Sequence, residues 1–552
     1  MAQEWWRGAV IYQIYPRSFQ DDTGDGVGDL AGITRRLDHV ASLGVDAVWL
    51  SPFFPSPMKD MGYDVSDYRG VDPLFGTLED FDALLARAHA LGLRVIIDQV
   101  LSHSSDMHVW FRESRASREN PKADWYVWVN AAEDGTPPNN WLSVFGGPAW
   151  EWEPRRHQYY LHNFLTGQPD LNLWNREVQN ALLGEVQFWL DRGVDGFRLD
   201  VANFYFHDAA LTDNPPAPAE DRAHASETYG HQQHVFDKNR PEVVGFLKRL
   251  RALTDAYPDR MIVGEVSETG DKALDLMGSY TDGSDRLHMA YSFELLGPHF
   301  SAAHFRRNVE RFFAAAPGGW PCWSFSNHDC VRHVSRWADH GVTDEALARQ
   351  SIALLCALEG NVGLYQGEEL GQLESELEYQ ELTDPPGLRF WPDVKGRDGC
   401  RTPMVWDAGA PEGGFSSARP WLPVKAPQLA RAVSVQEARD DSILSAYRAM
   451  LAFRGDTPAL KTGRSRFIDL PEPLLAFHRG EDITCVFNLG VEARQLEVAR
   501  GAELTGPHAA RLAGSTLELP PNGYAFLVGA TDLAFRPGRE NGQGKSSSET
   551  SR

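Results

Sequence analysis

Short apolar runs alternate with stretches in which apolar residues recur every three to four positions, and this alternation fills most of the chain. The runs VIYQIY near residue 10, AVWL at 47, RVIID at 94, GFRLD at 196 and MIVGE at 261, followed by HMAYSFEL, GWPCWSFSN and NVGLYQGEE, make eight. Between them lie helical patterns. Over Leu78 to Leu91, Phe81, Leu84, Leu85 and Ala88 share one face, with Thr77 placed to cap the start and Gly92 to end it. Val178 to Leu190, stopped at Gly193, and Pro241 to Leu253, with Pro in the first turn, read the same way. Eight strand-helix repeats predict an α/β fold, a parallel (β/α)8 TIM barrel, whose reactive groups belong at the C-terminal ends of the strands.

Two stretches break the alternation. A Trp-rich, Gly- and Pro-rich segment over 104–174 follows the third strand and is too long for a plain loop, so it predicts a small inserted domain. Near residue 466 the period changes to that of strands, with LLAFHR, ITCVFNLG and YAFLVG separated by turn residues, which predicts a C-terminal antiparallel β-sandwich. The predicted division is barrel at 1–103 and 175–460, inserted domain at 104–174, sandwich at 461–533 and a disordered polar tail at 534–552.

Composition narrows the function classes. A formal net charge of −24 without a basic stripe argues against nucleic acid and anionic membranes as partners. No apolar run reaches the ~20 residues of a membrane helix. The N-terminal residues lack the pattern of a secretory signal, so a cytoplasmic protein is expected. Five scattered cysteines without CxxC spacing predict neither a disulfide framework nor a zinc site.

The acids fall at the predicted strand ends. Asp200 closes GFRLD, Glu265 closes MIVGE, and Asp329 follows the strand leading into FSNHD. A single such acid is more often a structural hydrogen-bonding group, but three, each with a polar neighbour in Arg198, Asn327 or His328, point to chemistry. Asp98 and His103 after the third strand join them, as do Asp60, Tyr63 and Asp64 after the second.

With these blocks in order, DQVLSH at 98–103, QPDLN at 168–172, GFRLD at 196–200, GEV at 264–266, FSNHD at 325–329 and YQGEELG at 365–371, the chain resembles glycoside hydrolase family 13, the α-amylase superfamily, and within it the bacterial α-glucosidase and oligo-1,6-glucosidase branch. The resemblance implies Asp200 as nucleophile, Glu265 as acid/base and Asp329 as the third carboxylate, gripping sugar hydroxyls. Retention of configuration requires the first two roughly 5 to 5.5 Å apart. It further implies Arg198 beside the nucleophile, His103 and His328 as hydroxyl ligands, Tyr63 stacked on the sugar with Phe145 and Phe164 as aromatic neighbours, and Asp60 with Arg397, or alternatively Arg401, closing the far side of a pocket for one glucose. Val201, directly after the nucleophile, accompanies cleavage of α-1,6 links in relatives. The segment from His207 to Arg240 is expected to form a lid. Expected partners are small α-glucosides with alcohol or sugar acceptors, bound by a monomer or homodimer without an organic cofactor. A sucrose- or trehalose-isomerising glucosyltransferase is the alternative within the family. A catalytically dead transport partner would carry a membrane anchor and have lost acids.

The stretch DDTGDGVGDL resembles a calcium loop, with oxygens at Asp21, Thr23 and Asp25, the Val27 carbonyl, and Asp29. Gly32 stands where an EF-hand needs its bidentate Glu, which rules out a sensor of that type. Relatives hold a structural ion in this loop, so the resemblance implies Ca²⁺ or Mg²⁺ here. Ser102, where amylases use an Asn ligand, implies that a second calcium site is missing.

Overall fold

The computed structural model describes residues 4–220, 228–530 and 533–536. All eight apolar runs form parallel strands: β1 (Val10–Ile14), β2 (Ala47–Leu50), β3 (Arg94–Gln99), β7 (Gly196–Leu199), β8 (Met261–Val266), β9 (Met289–Ser292), β10 (Cys322–Ser324) and β11 (Asn361–Tyr365). The strand order is β10-β11-β1-β2-β3-β7-β8-β9, and a parallel bridge between Ala290 and Pro321 joins the two outer strands and closes the barrel. Nearly every strand residue is buried, as expected when both faces of a parallel sheet are covered. Ile11, Trp49, Ile96, Met261, Val263, Met289 and Cys322 form one apolar cluster. Their strand neighbours Val10, Val48, Ile97, Phe197 and Ile262 pack with helix residues such as Leu84 and Trp189. This is the period-2 division of a barrel wall into interior and exterior.

Helix Leu78–Ala90 carries a capping box between Thr77 and Asp80. Helix Arg176–Asp191 starts on the Asn175 side chain. The third expected helix begins at Val243, with Glu242 as its cap, so Pro241 stands before the first turn and not in it.

In the inserted segment, β4 (Trp128–Val129), β5 (Trp150–Glu153) and β6 (Gln158–Leu161) make a three-stranded antiparallel sheet. Its own small core contains Trp141 and Trp150, and the bridge from Asp170 to His103 ties it to the barrel rim. The C-terminal sandwich has a five-stranded sheet, built from β12 (Ser465–Ile468), β13 (Leu474–Arg479), β14 (Ile483–Asn488), β16 (Glu503–Ala509) and β19 (Tyr524–Val528). A four-stranded sheet of β15 (Arg494–Val498), β17 (Arg511–Ala513), β18 (Thr516–Leu519) and β20 (Leu533–Arg536) faces it. β20 corrects the expected start of the tail at 534. Leu533 and Phe535 alternate toward the sandwich core, which extends the ladder with β15 to Arg536. The rest of the predicted tail lies outside the described residues, as do 221–227 of the expected lid. Among the described residues no helix is long and apolar enough to cross a membrane.

Candidate active site

The barrel floor is organised by Arg198. This β7 side chain is fully buried, with 0% exposure. Its Nη1 donates to Asp98 Oδ1 at 2.8 Å and to Asp200 Oδ1 at 2.7 Å, its Nη2 donates to Glu265 Oε2 at 2.7 Å, and Nε and Nη2 both reach the Tyr291 hydroxyl. Parallel neighbours β3, β7, β8 and β9 bring these five side chains together, since Asp98 pairs in register with Arg198 and Glu265 with Tyr291. One planar guanidinium thus holds Asp200 and Glu265 on its two terminal nitrogens, a geometry that Lys cannot supply.

Directly after Asp200 the backbone turns sharply. Val201 has φ 36° and ψ 53°, the left-handed region, which is costly for a β-branched residue. In that conformation its N–H donates to Glu265 Oε2 at 2.9 Å. Oε2 therefore accepts two hydrogen bonds. Burial pushes Glu265 up to about 8 against the pull of Arg198, with Asp200 and Asp329 adding to the rise. Burial also raises Asp200 and Asp98, and for both the Arg198 guanidinium is the main opposing influence.

Asp329 sits differently. Burial works against its charge, but His328 when protonated, then Arg397 at 3.2 Å and Arg401 at 2.9 Å, both arginines on Oδ1, hold it well below the usual carboxylate range. His328 adds no charge at pH 7, because burial lowers it to about 3.

These groups open on a cavity of about 220 Å³ lined by Asp60, Tyr63, His103, Phe145, Phe164, Asp200, Val201, Glu265, Asp329 and Arg397, together with Val144, Ser267 and Phe293. Ten of the twelve expected catalytic and substrate-binding residues therefore face one space. The other two lie beneath it. Arg198 grips the acids from below. His328 takes a hydrogen bond at Nδ1 from Gln13 Nε2 at 2.7 Å, stacks on Tyr63 with ring planes 6° apart, and bonds the Tyr63 hydroxyl at 2.6 Å, which passes the chain on to Asp98. Both ring nitrogens have partners within the protein, and His328 lies against Tyr63 and 3.3 Å from Asp329 Oδ2. In the cavity wall, Arg397 Nη2 donates to Asp60 Oδ1 at 2.8 Å. Arg401, the alternative partner, bonds Asp329 and the His328 carbonyl.

The alpha amylase catalytic-domain family model matches residues 13–463. The chain belongs to that family. It is 59% identical over 505 residues to "Probable alpha-glucosidase" of Rhizobium meliloti (strain 1021), covering 90% of this chain and 91% of the relative. It is 36% identical over 577 residues to "Oligo-1,6-glucosidase" of Heyndrickxia coagulans, covering 97% and 98%. Among solved structures, the alpha-glucosyl transfer enzyme XgtA superposes with a TM-score of 0.92 at 55% identity, covering 95% of this chain and 99% of that one. The trehalulose synthase MutB from Pseudomonas mesoacidophila MX-45 superposes with a TM-score of 0.86 at 33% identity, covering 96% and 100%. This α-amylase-family chain is a glycoside hydrolase of family 13 with the family's barrel.

Sequence reasoning missed Val144, Ser267 and Phe293 at the cavity wall, and also Gln168, which donates to Asp60 Oδ2 at 3.1 Å from within the QPDLN block. It also missed Asp384, the anchor of Arg397. Ser267 and Phe293 directly follow β8 and β9, where only acids were sought, whereas Val144, Gln168 and Asp384 carry no strand-end signal.

The acidic loop after β1 is built otherwise than the expected ion site. Asp21 Oδ1 accepts from Gly24 N and Thr23 Oγ1, and its Oδ2 from Gly26 N and Ser416 Oγ. Asp29 Oδ2 accepts from the amides of Asp22 and Thr23, while its Oδ1 caps helix Leu30–Ser42 through Gly32 N. Asp25 accepts from Val27 N. The carboxylates of Asp21 and Asp29 point at N–H and O–H donors instead of a common centre, and among the described residues no three His, Cys, Asp or Glu side chains converge as a metal would need. The expected set of Asp21, Thr23, Asp25, Val27 and Asp29 does not fit a cation in this arrangement. Hydrogen bonds close the loop.

Proposed function

We propose that this glycoside hydrolase is an exo-acting, retaining α-glucosidase that removes one α-glucose from the non-reducing end of short α-glucosides and also transfers it to alcohols or sugars. The observation that carries the reading is the shared Arg198 clamp on Asp200 and Glu265 at the floor of a cavity whose wall carries the ion pair of Asp60 and Arg397. A single guanidinium span suits the ~5 to 5.5 Å carboxyl separation of retaining enzymes better than the ~6.5 to 9.5 Å of inverting ones.

In the first step Asp200 attacks the anomeric carbon while Glu265 gives its proton to the departing glycosidic oxygen, leaving a glucosyl ester on Asp200. In the second, Glu265 takes a proton from water or an acceptor hydroxyl, which attacks the same carbon and frees Asp200. Arg198 is one cation facing the carboxyls of Asp98, Asp200 and Glu265, so a proton on one of them relieves repulsion. Burial and the nearby carboxylates of Asp200 and Asp329 favour it on Glu265 against the pull of Arg198 and the Val201 N–H, and the two donors on Oε2 leave Oε1 to carry it. Asp329, kept ionised by Arg397 and Arg401, holds ring hydroxyls as positive charge develops. Val201 at the cavity wall supports tolerance of α-1,6 links beside α-1,4. The likeness to XgtA supports transfer to acceptors.

Hydrolysis of p-nitrophenyl α-glucoside, with the released glucose followed by NMR, tests the reading. The α-anomer is expected first, and Asp200→Asn is expected to be inactive. Initial β-glucose, or more than trace turnover by Asp200→Asn, refutes it. The resemblance to trehalulose synthase MutB supports sucrose isomerisation as a second reading. Products from sucrose decide between the two, since a hydrolase releases glucose and fructose whereas an isomerase returns a new disaccharide.

A further inference from the structure

The far wall of the cavity is held by a residue outside it. Asp384 has 0% exposure and does not line the cavity. Its Oδ1 accepts from Arg397 Nε at 3.0 Å and from Nη2 at 2.6 Å, while its Oδ2 accepts from the Arg397 backbone N–H at 2.7 Å. The clasp is reciprocal. Asp398, next to Arg397, accepts from the backbone N–H of Asp384 at 2.8 Å and from the N–H and hydroxyl of Thr383. Between the two halves the chain makes a loop whose limbs meet at Gly387 and Gly396. A Cβ on Gly396, which has φ 74°, would stand 2.7 Å from Asp384 Oδ2. The loop tip leans on the inserted segment, since a Cβ on Gly146 would stand 2.7 Å from Phe390.

Donor bookkeeping shows what the clasp does. Arg397 has five N–H donors in a fixed fork. Asp384 takes Nε and one Nη2 hydrogen, Asp60 takes the second Nη2 hydrogen, and Asp329 takes one on Nη1. One Nη1 hydrogen is left for a hydroxyl in the cavity. Without Asp384, two donors lose their acceptor and the guanidinium is free to turn away from Asp60.

We propose that Asp384 is a positioning residue that fixes Arg397 across the end of the cavity and thereby sets the limit of one sugar unit. This rests on the α-glucosidase reading above. Asp384 does not line the cavity and acts chiefly through Arg397, which donates three hydrogen bonds to it, while Arg401 Nη1 stands further off at 3.8 Å.

The test uses the full chain. Asp384→Asn keeps the shape and removes the charge. It is expected to raise KM for p-nitrophenyl α-glucoside at least about tenfold while kcat changes less than about threefold, because uniform binding is lost while Arg198 still holds Asp200 and Glu265 and Arg401 still holds Asp329. It is also expected to cleave a nitrophenyl maltoheptaoside blocked at its non-reducing end, which the wild-type protein leaves intact. A merely structural role would lower kcat through loss of folded enzyme and would leave the blocked substrate uncut; that result overturns the proposal. A double-mutant cycle guards against misfolding: in an Arg397→Ala background, Asp384→Asn is expected to change KM less than about twofold, and additive effects overturn the proposal. Absence of turnover by the wild-type protein refutes the parent reading instead.

Discussion

Replacing Glu265 by Gln trades activity for stability, and the gain depends on pH. Burial pushes this carboxyl from 4.5 up to about 8, and the residue is only 2% exposed, so water screens little of the effect. Folding therefore tightens proton binding. Below about pH 4.5 the group is protonated in both states and costs nothing. As pH rises toward 8 the unfolded chain gives up its proton while the folded one keeps it, so stability falls with pH across this window and levels off above it. At ~1.36 kcal/mol per unit, the shift amounts to about 5 kcal/mol above pH 8 and about 3 kcal/mol at pH 7. Gln has the shape of protonated Glu and carries no such penalty. Thermal unfolding of wild type and Glu265→Gln, followed by tryptophan fluorescence at pH 5, 7 and 8.5, is expected to give nearly equal midpoints at pH 5 and a variant lead that widens by several degrees toward pH 8.5. In the wild type, the alkaline limb of kcat/KM is expected to fall near the same pH of about 8. A midpoint difference that stays constant with pH, or a wild type that leads at pH 8.5, refutes the argument.

Arg198→Lys supplies one ammonium where Asp98, Asp200, Glu265 and Tyr291 share a fork, so kcat on p-nitrophenyl α-glucoside is expected to fall at least about 100-fold; a loss under threefold sinks the clamp. Because hydrogen bonds close the acidic loop after β1, a chelator is expected to leave the melting temperature unchanged. Asp21→Ala, which strands the donors of Gly24, Gly26 and Ser416, is expected to cost about 1 to 3 kcal/mol, and a chelator-induced drop in melting temperature would reverse the reading of the loop. Phe145→Ala and Phe164→Ala each remove an aromatic wall of the cavity and are expected to raise KM several-fold with little change in kcat, checked by the same assay.

The barrel was legible in the sequence because its strands are buried on both faces and so read as unbroken apolar runs, as in AVWL and MIVGE. The acids were legible because register places them at the ends of those runs. Asp384 was not, since it lies outside the strands and only the fold brings it against Arg397, and Ser267 and Phe293, which directly follow β8 and β9, were passed over because they are not acids. The acidic loop is ambiguous in sequence for a related reason. Alternating Asp and Gly suits a cation and suits a turn whose carboxylates bind their own amides, and spacing cannot tell the two apart. In β20 the polar residues that follow concealed the apolar alternation of Leu533 and Phe535.

β1 pairs with β11 as well as β2, and Tyr15 at its end bonds Gln366, 351 positions further along the chain. At a synthesis rate of ~5 to 20 residues per second, this strand emerges roughly 20 to 70 s before its partner. Through that interval one apolar edge of the nascent barrel stays open, with Arg397 and the far wall still unmade. Yield on overexpression is then expected to respond to translation speed and chaperone supply before it responds to any change at the reaction centre.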